Sequence, residues 1–227
     1  MVIHSTIQYT PRVRIAVWSV VAAVSGVTSW ALARRDSKQQ RCRGSSFADI
    51  RFTSNRWSVV AACSMCIALI VISAMRNPNT TVAIHCVLAW SGCWLSLVDI
   101  DTHTVPRRSQ MIVWSVAATF LVALSLANEP SSVLKAMFGS LAMWGVMKTL
   151  ELLSRGDLGP ADAVFAGYLG MFVGNQSVSL VPVALMAAFV LGGGVALVVM
   201  VVYRFTRGSH LPFAPFLFLG TMAAVLR

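Results

Sequence analysis

Eight apolar stretches divide this chain, near 14–33, 57–75, 80–98, 110–127, 132–153, 162–175, 178–203 and 211–226. Most hold about 18 or more residues, which as helix crosses roughly 30 Å of hydrocarbon. Inside a bilayer every backbone N–H and C=O must find a partner within the protein, and a helix satisfies both locally. The expected fold is therefore all-α: a polytopic integral membrane bundle of six to eight transmembrane helices. Composition agrees, with 57% hydrophobic and only 11% charged residues, against about one quarter charged in a soluble domain. The connecting segments are short, so 1–227 reads as a single membrane domain. The first apolar run, Ile15 to Ala33, is long for a signal peptide and has no small-x-small exit before Arg34, so it is expected to remain as a helix.

The net charge of +10 would suggest nucleic acid in a soluble protein. Here no basic stretch carries a DNA-reading motif or interleaved aromatics, and nucleic-acid binding is not expected. The basic residues have another use. Membrane proteins concentrate Lys and Arg in their cytoplasmic loops. With eight spans, one set of alternate loops (34–56, 99–109, 148–161, 204–210) holds 13 Lys and Arg, and the other set, with the termini, holds five. The first set is expected to be cytoplasmic, in the plasma membrane of the cell. Residues 34–56 (RRDSKQQRCRGSSFADIRFTSNR) read as a basic cytoplasmic loop.

Five cysteines are scattered through the chain. Cys63 and Cys66 form a CxxC within an apolar stretch, and no second pair completes the four ligands of a structural zinc site. Neither a metal site nor a disulfide framework is expected.

Only eight residues are acidic, and their placement is informative. Asp99 ends the third stretch, in LSLVDIDTHTVPRR, and Asp162 opens the sixth, in RGDLGPADAVFAGYLGMFVG. The charge count puts both at the cytoplasmic boundary. A carboxylate there is costly unless it faces water, pairs or is protonated. Two aspartates brought together do not both ionise readily, so one holds a proton that the other lacks. Such a pair activates water for attack on a peptide carbonyl and protonates the leaving nitrogen. Spacing alone favours a plainer reading, in which each Asp caps a helix or solvates a loop, Asp162 being favoured at a helix N-terminus by the dipole.

Three short matches carry a resemblance to the type IV prepilin peptidase family. In that family an Asp is followed seven residues later by Pro after an apolar residue, as Asp99 is here by Val105 and Pro106. A second Asp often stands two positions on, where Asp101 lies. The GxGD motif and its glycine-spaced helix resemble Gly159-Pro160-Ala161-Asp162 with Gly167, Gly170 and Gly174. A PFGPFLALG-like ending resembles HLPFAPFLFLG, His210 to Gly220. Order and spacing agree across about 80–225. The resemblance implies an aspartic endopeptidase with Asp99 and Asp162 as catalytic dyad. It makes Asp101 auxiliary, lets Gly159 shape the backbone before Asp162, and carries over Pro106 as part of the first motif. It implies a partner, a prepilin or pseudopilin precursor whose basic leader is cut at the cytoplasmic face, and no cofactor. Larger members carry a cytoplasmic domain with two CxxC pairs linked to N-methylation. That pattern and any Gly-rich nucleotide loop are absent from this sequence, so methyl transfer is not expected.

The sequence departs from the family pattern at Ala161 (second Gly of GxGD), Val164 (usually Lys) and Arg107 (commonly Asp or Asn). These departures keep open a catalytically inactive relative that acts in pilus or secretion assembly. A small transporter would also use intramembrane acids, but the internal repeats that would support it are not seen. Elsewhere, His103 reads as a solvated loop residue and His85 as a hydrogen-bond partner between helices. Lys148 and Glu151 are spaced to pair on a helix. Gly192, Gly193 and Gly194 suggest close packing or a bend, and Gly170 with Gly174 suggests packing within the bundle. Trp18, Trp30, Trp57 and Trp114 read as interfacial anchors.

Overall fold

The computed structural model describes residues 11–42, 53, 55–103, 105–154, 158–203 and 212–227. Among these residues the chain is all-helical, with eight helices: α1 (Pro11–Cys42), α2 (Arg56–Arg76), α3 (Asn79–Thr102), α4 (Arg107–Asn128), α5 (Ser131–Leu153), α6 (Pro160–Gln176), α7 (Leu180–Tyr203) and α8 (Ala214–Val225). The apolar stretches thus become helices one for one. Five of them are long and apolar enough to cross a membrane: α1, α2, α3, α4 and α7. The protein is a multi-pass helical membrane bundle. Helix α8, with 12 residues, rises only about 18 Å and cannot span the hydrocarbon alone.

The clearest departure from expectation is at α1. The apolar run stops at Ala33, but the helix continues through RRDSKQQRC to Cys42. Residues 34–42 of the expected loop are therefore helical, and of the remainder only Thr53, Asn55 and Arg56 lie among the described residues. Polar residues without Gly or Pro do not break a helix already nucleated in the membrane.

Helix boundaries follow local chemistry. Asn55 caps α2, its Oδ1 accepting the Trp57 amide at 3.2 Å. Pro78, Pro106 and Pro130 precede α3, α4 and α5, and Pro160 opens α6 at its first helical position, where a missing N–H costs nothing.

Helices α3 and α6 form the interior. Asp99, Asp101, Leu88, Cys93 and Val98 of α3 are buried, as is the run Phe165–Gly174 of α6. Helices α1 and α2 pack against one side of α3, and α8 reaches both α3 and α6. The closest pair is α5 with α6. A Cβ built on Gly170 would lie 2.4 Å from the Gly139 carbonyl oxygen, and one on Gly174 would lie 2.3 Å from the Lys135 carbonyl. Only hydrogen fits between these backbones, and such contact replaces the hydrophobic effect as a source of association within lipid. The packing role expected for Gly170 and Gly174 is met. The triple glycine behaves differently. Gly192 abuts Phe213 and Phe216, whereas a Cβ on Gly193 or Gly194 would meet nothing within 4 Å, and α7 runs through all three.

Several polar groups inside the bundle are paired between helices. His85 meets Ser73 Oγ of α2 through Nδ1 at 2.6 Å and Gln176 Nε2 of α6 through Nε2 at 2.6 Å, as expected for an interhelical histidine. Tyr168 of α6 shares a hydrogen bond with Ser91 of α3. Trp30 is held rather than simply anchored, its Nε1 donating to Ser58 Oγ at 2.8 Å.

Candidate active site

One end of the bundle gathers the termini of four helices. Helix α3 ends there, α4 starts there, α5 ends there and α6 starts there, because antiparallel neighbours alternate. Gln110 ties two of these ends together, donating from Nε2 to the Ala161 carbonyl at 3.1 Å. Asp99 and Asp162 both lie at this end.

Asp99 occupies the last turn of α3 and is 5% exposed. Its Oδ2 accepts the Ala214 amide at 3.1 Å. Ala214 is the first residue of α8, so the carboxylate rests on the positive end of that helix. Behind it, the His103 amide bonds to the Asp99 carbonyl at 2.8 Å. His103 closes α3 in the left-handed region, φ 50°, the one non-glycine among the described residues with positive φ. This cap satisfies an orphan carbonyl and turns the chain toward Pro106. His103 is thus not a free loop histidine: it caps α3 and lines the cavity described below.

Asp162 stands in the first turn of α6, half-buried. Its carboxylate takes a hydrogen bond from the Gly159 backbone, the reach-back geometry of a capping box. Asp162 lies within electrostatic range of Asp99 on one side and of Glu151 on the other. The two aspartates singled out from the sequence are therefore brought together, from the end of one interior helix and the start of the other.

The three accompanying residues do different things. Asp101 points away from the pair. It is 1% exposed, and its carboxylate accepts both the amide and the hydroxyl of Thr53, the amide at 3.0 Å. Arg41 Nη2 donates to the Asp101 carbonyl at 2.7 Å. Asp101 thereby ties the α1–α2 connection and α1 to the end of α3. Gly159 has φ −74° and ψ 143°, angles open to any residue, and a Cβ there would make ordinary contact with Asp162 Oδ2 at 3.5 Å. The backbone shape does not demand glycine; the contribution of this position is its hydrogen bond. Pro106 stands just before α4, its carbonyl accepting the Gln110 amide at 3.1 Å.

Two carboxylates at this end were not legible as neighbours of the site. Asp36, on the extension of α1, accepts Ser109 Oγ at 2.6 Å and Trp94 Nε1 at 3.1 Å on one oxygen, Oδ2. It joins α1 to α3 and α4. Glu151 bonds Lys148 at 2.7 Å, as the spacing predicts, but it also faces Asp162, which no local pattern reveals. Beside Asp162 opens a cavity of about 840 Å³ between α4, α5 and α6. Its wall is largely apolar, with Trp114, Trp144, Met111 and Val164, and it carries Arg107 and Lys148.

The family model for the type IV leader peptidase family matches residues 86–197, a stretch that contains both aspartates. Over that stretch the chain is similar to the type IV leader peptidase family. Among curated proteins, the prepilin leader peptidase/N-methyltransferase of Pseudomonas putida is 29% identical over 143 residues, covering 61% of this chain and 48% of that protein. The chain thus spans about half the length of this relative. No solved structure matches the chain. The matched stretch begins within α3, before Asp99, and ends within α7.

Proposed function

We propose that this chain is a membrane aspartic endopeptidase that removes the basic leader of prepilin-like or pseudopilin precursors at the cytoplasmic face, with Asp99 and Asp162 as its dyad. The observation that carries this reading is that Asp99, at the end of α3, and Asp162, at the start of α6, lie within electrostatic range at one end of the bundle. The family and the Pseudomonas relative support a peptidase, and the excess of Lys and Arg in the loops at that end supports the cytoplasmic side.

In this mechanism the pair shares one proton. The ionised carboxylate takes a proton from a water lying between the two, and the water oxygen bonds to the scissile carbonyl carbon. The protonated partner gives its proton to the amide nitrogen, the C–N bond breaks, and acid and amine leave. The pair then holds one proton again. The Ala214 amide fixes Asp99 and the Gly159 backbone fixes Asp162, so neither carboxylate reorganises during the step. Asp101 and Pro106 act indirectly by fixing the end of α3 and the start of α4. A membrane enzyme suits such a substrate, whose apolar helix stays in the bilayer while the scissile bond reaches the interface.

The test is co-expression with a tagged precursor from the same cell, with leader removal followed by gel shift. Wild type should cleave. Asp99→Asn and Asp162→Asn should each lose about 10²- to 10⁴-fold, the scale of general acid–base catalysis. Unprocessed precursor with wild type, across several precursors and with the protein shown to be inserted, would favour an inactive relative in pilus or secretion assembly. Processing left intact in both variants would rule out the dyad.

A further inference from the structure

Helix α4 carries Arg107, Met111 and Trp114 at the spacing of one helical face, and all three line the cavity of about 840 Å³ between α4, α5 and α6. Helix α5 brings Trp144 and Lys148, one turn apart, to the same space. Because α4 starts and α5 ends at the end of the bundle that holds the two aspartates, both walls read in the same direction. Each has its cation nearer that end and its tryptophan deeper, by about 6 Å on α5 and about 10 Å on α4. The cavity is also open sideways. Met111 is 69% exposed, Trp144 44% and Val164 39%, so the apolar part of the wall faces the hydrocarbon around the bundle.

The charge of the lining is one-sided. Among the described residues no carboxylate lines the cavity. Lys148 is shared with Glu151 at 2.7 Å, whereas Arg107 is exposed and enters no ion pair among the described residues. Arg107 therefore supplies the uncommitted charge. Trp114 Nε1 is buried without a hydrogen-bond partner, a donor that a bare hydrocarbon chain leaves idle and an ester oxygen satisfies. An amphiphile with an anionic head, an ester and an apolar tail matches all three parts. Guanidinium pairs with phosphate through two N–H groups, and basic pockets between membrane helices take acidic headgroups. We propose that this cavity binds one anionic phospholipid from the leaflet at that end, its phosphate on Arg107 and Lys148 and an acyl chain along Met111, Trp114 and Trp144. The bilayer holds such a molecule at the level and in the orientation that the two walls require, with its phosphate at the boundary and its chain pointing inward. This assignment goes beyond the peptidase reading and does not depend on it.

The experiment titrates the full chain, purified in detergent, with phosphatidylglycerol or phosphatidylcholine of matched acyl chains, and counts bound lipid by native mass spectrometry. Wild type should hold one phosphatidylglycerol about fivefold more tightly than phosphatidylcholine, the scale of one basic residue against an acidic lipid. Arg107→Gln should bring that ratio close to one. Arg108→Gln removes the same charge from an exposed neighbour that does not line the cavity, and should leave the ratio as in wild type. Trp144→Ala, on the opposite wall, should weaken both lipids about threefold or more through lost apolar contact, and decides the matter if Arg107→Gln fails to fold. Two competitors test the source of the anion: inorganic phosphate at millimolar concentration, and a synthetic peptide with one Glu beside an apolar helix. Neither should displace phosphatidylglycerol. A ratio near one in wild type, equal losses in Arg107→Gln and Arg108→Gln, or unchanged binding in Trp144→Ala overturns the assignment. Displacement by phosphate or by the peptide overturns it as well, in favour of a free anion or an acidic peptide.

Discussion

Helices α6 and α7 are neighbours in sequence and opposites in the bundle. Both are apolar and rich in glycine, and α7 is the longer and greasier of the two. Yet α6 is buried along the whole run Phe165–Gly174, while on α7 Met186, Val190, Val198 and Val201 lie open to the surroundings, Val190 and Val201 being 71% exposed. Lipid is as apolar as a leucine side chain, so hydrophobicity does not sort helices between centre and rim. Shape and polar pairing do. Helix α6 presents Gly170 and Gly174 to α5, the Tyr168 hydroxyl to Ser91, and Gln176 to His85. Helix α7 offers mainly smooth aliphatic surface. The helix that delivers Asp162 is the one whose position is over-determined.

The strongest way to break this contrast is to insert bulk into the α5–α6 seam. Gly170→Leu should destabilise the bundle by about 3 kcal/mol or more, since the new side chain collides with backbone that cannot move aside, and leader cleavage should fall with it. Thermal unfolding in detergent measures the loss; a midpoint like that of wild type would show that the seam yields. Phe172→Ala comes next. Phe172 is 1% exposed and packs edge-on against Tyr168, and the cavity should cost about 3 kcal/mol. The equivalent truncation on α7, Val190→Ala, should remain within about 0.5 kcal/mol. Tyr168→Phe removes only the bond to Ser91 and should cost about 1 kcal/mol, visible as a small downward shift of the same midpoint. The smallest effect sharpens the comparison most. Gly193→Leu places its side chain where nothing lies within 4 Å, and should shift stability by no more than about 0.5 kcal/mol. Equal losses in Gly170→Leu and Gly193→Leu would mean that the two helices share one environment.

The sequence makes the helices legible and leaves their neighbours obscure. Apolar length marks each membrane helix because the bilayer imposes it, and proline and asparagine mark the starts. The extension of α1 is hidden because RRDSKQQRC carries loop-like polarity, whereas its helical state depends on Asp36 and Arg41 reaching α3 and α4. Asp99 and Asp162 are legible as chemistry because they stand in short motifs at span ends. What holds them is not: the Ala214 amide lies 115 positions from Asp99 in the chain, and nothing local announces it. The Lys148–Glu151 pair is readable from its spacing, while the approach of Glu151 to Asp162 requires the fold.

That long reach from Asp99 to Ala214 also sets a clock. Ribosomes add about 5–20 residues per second, so the amide that secures Asp99 is made roughly 6–23 s after it. Through that interval α3 is already synthesised with its aspartate lacking its final partner, and Asp162 is made before the partner exists. The site is thus completed by the last described helix rather than by the helices that contribute its acids. Any delay in docking α8 postpones the whole constellation without disturbing either carboxylate's own helix.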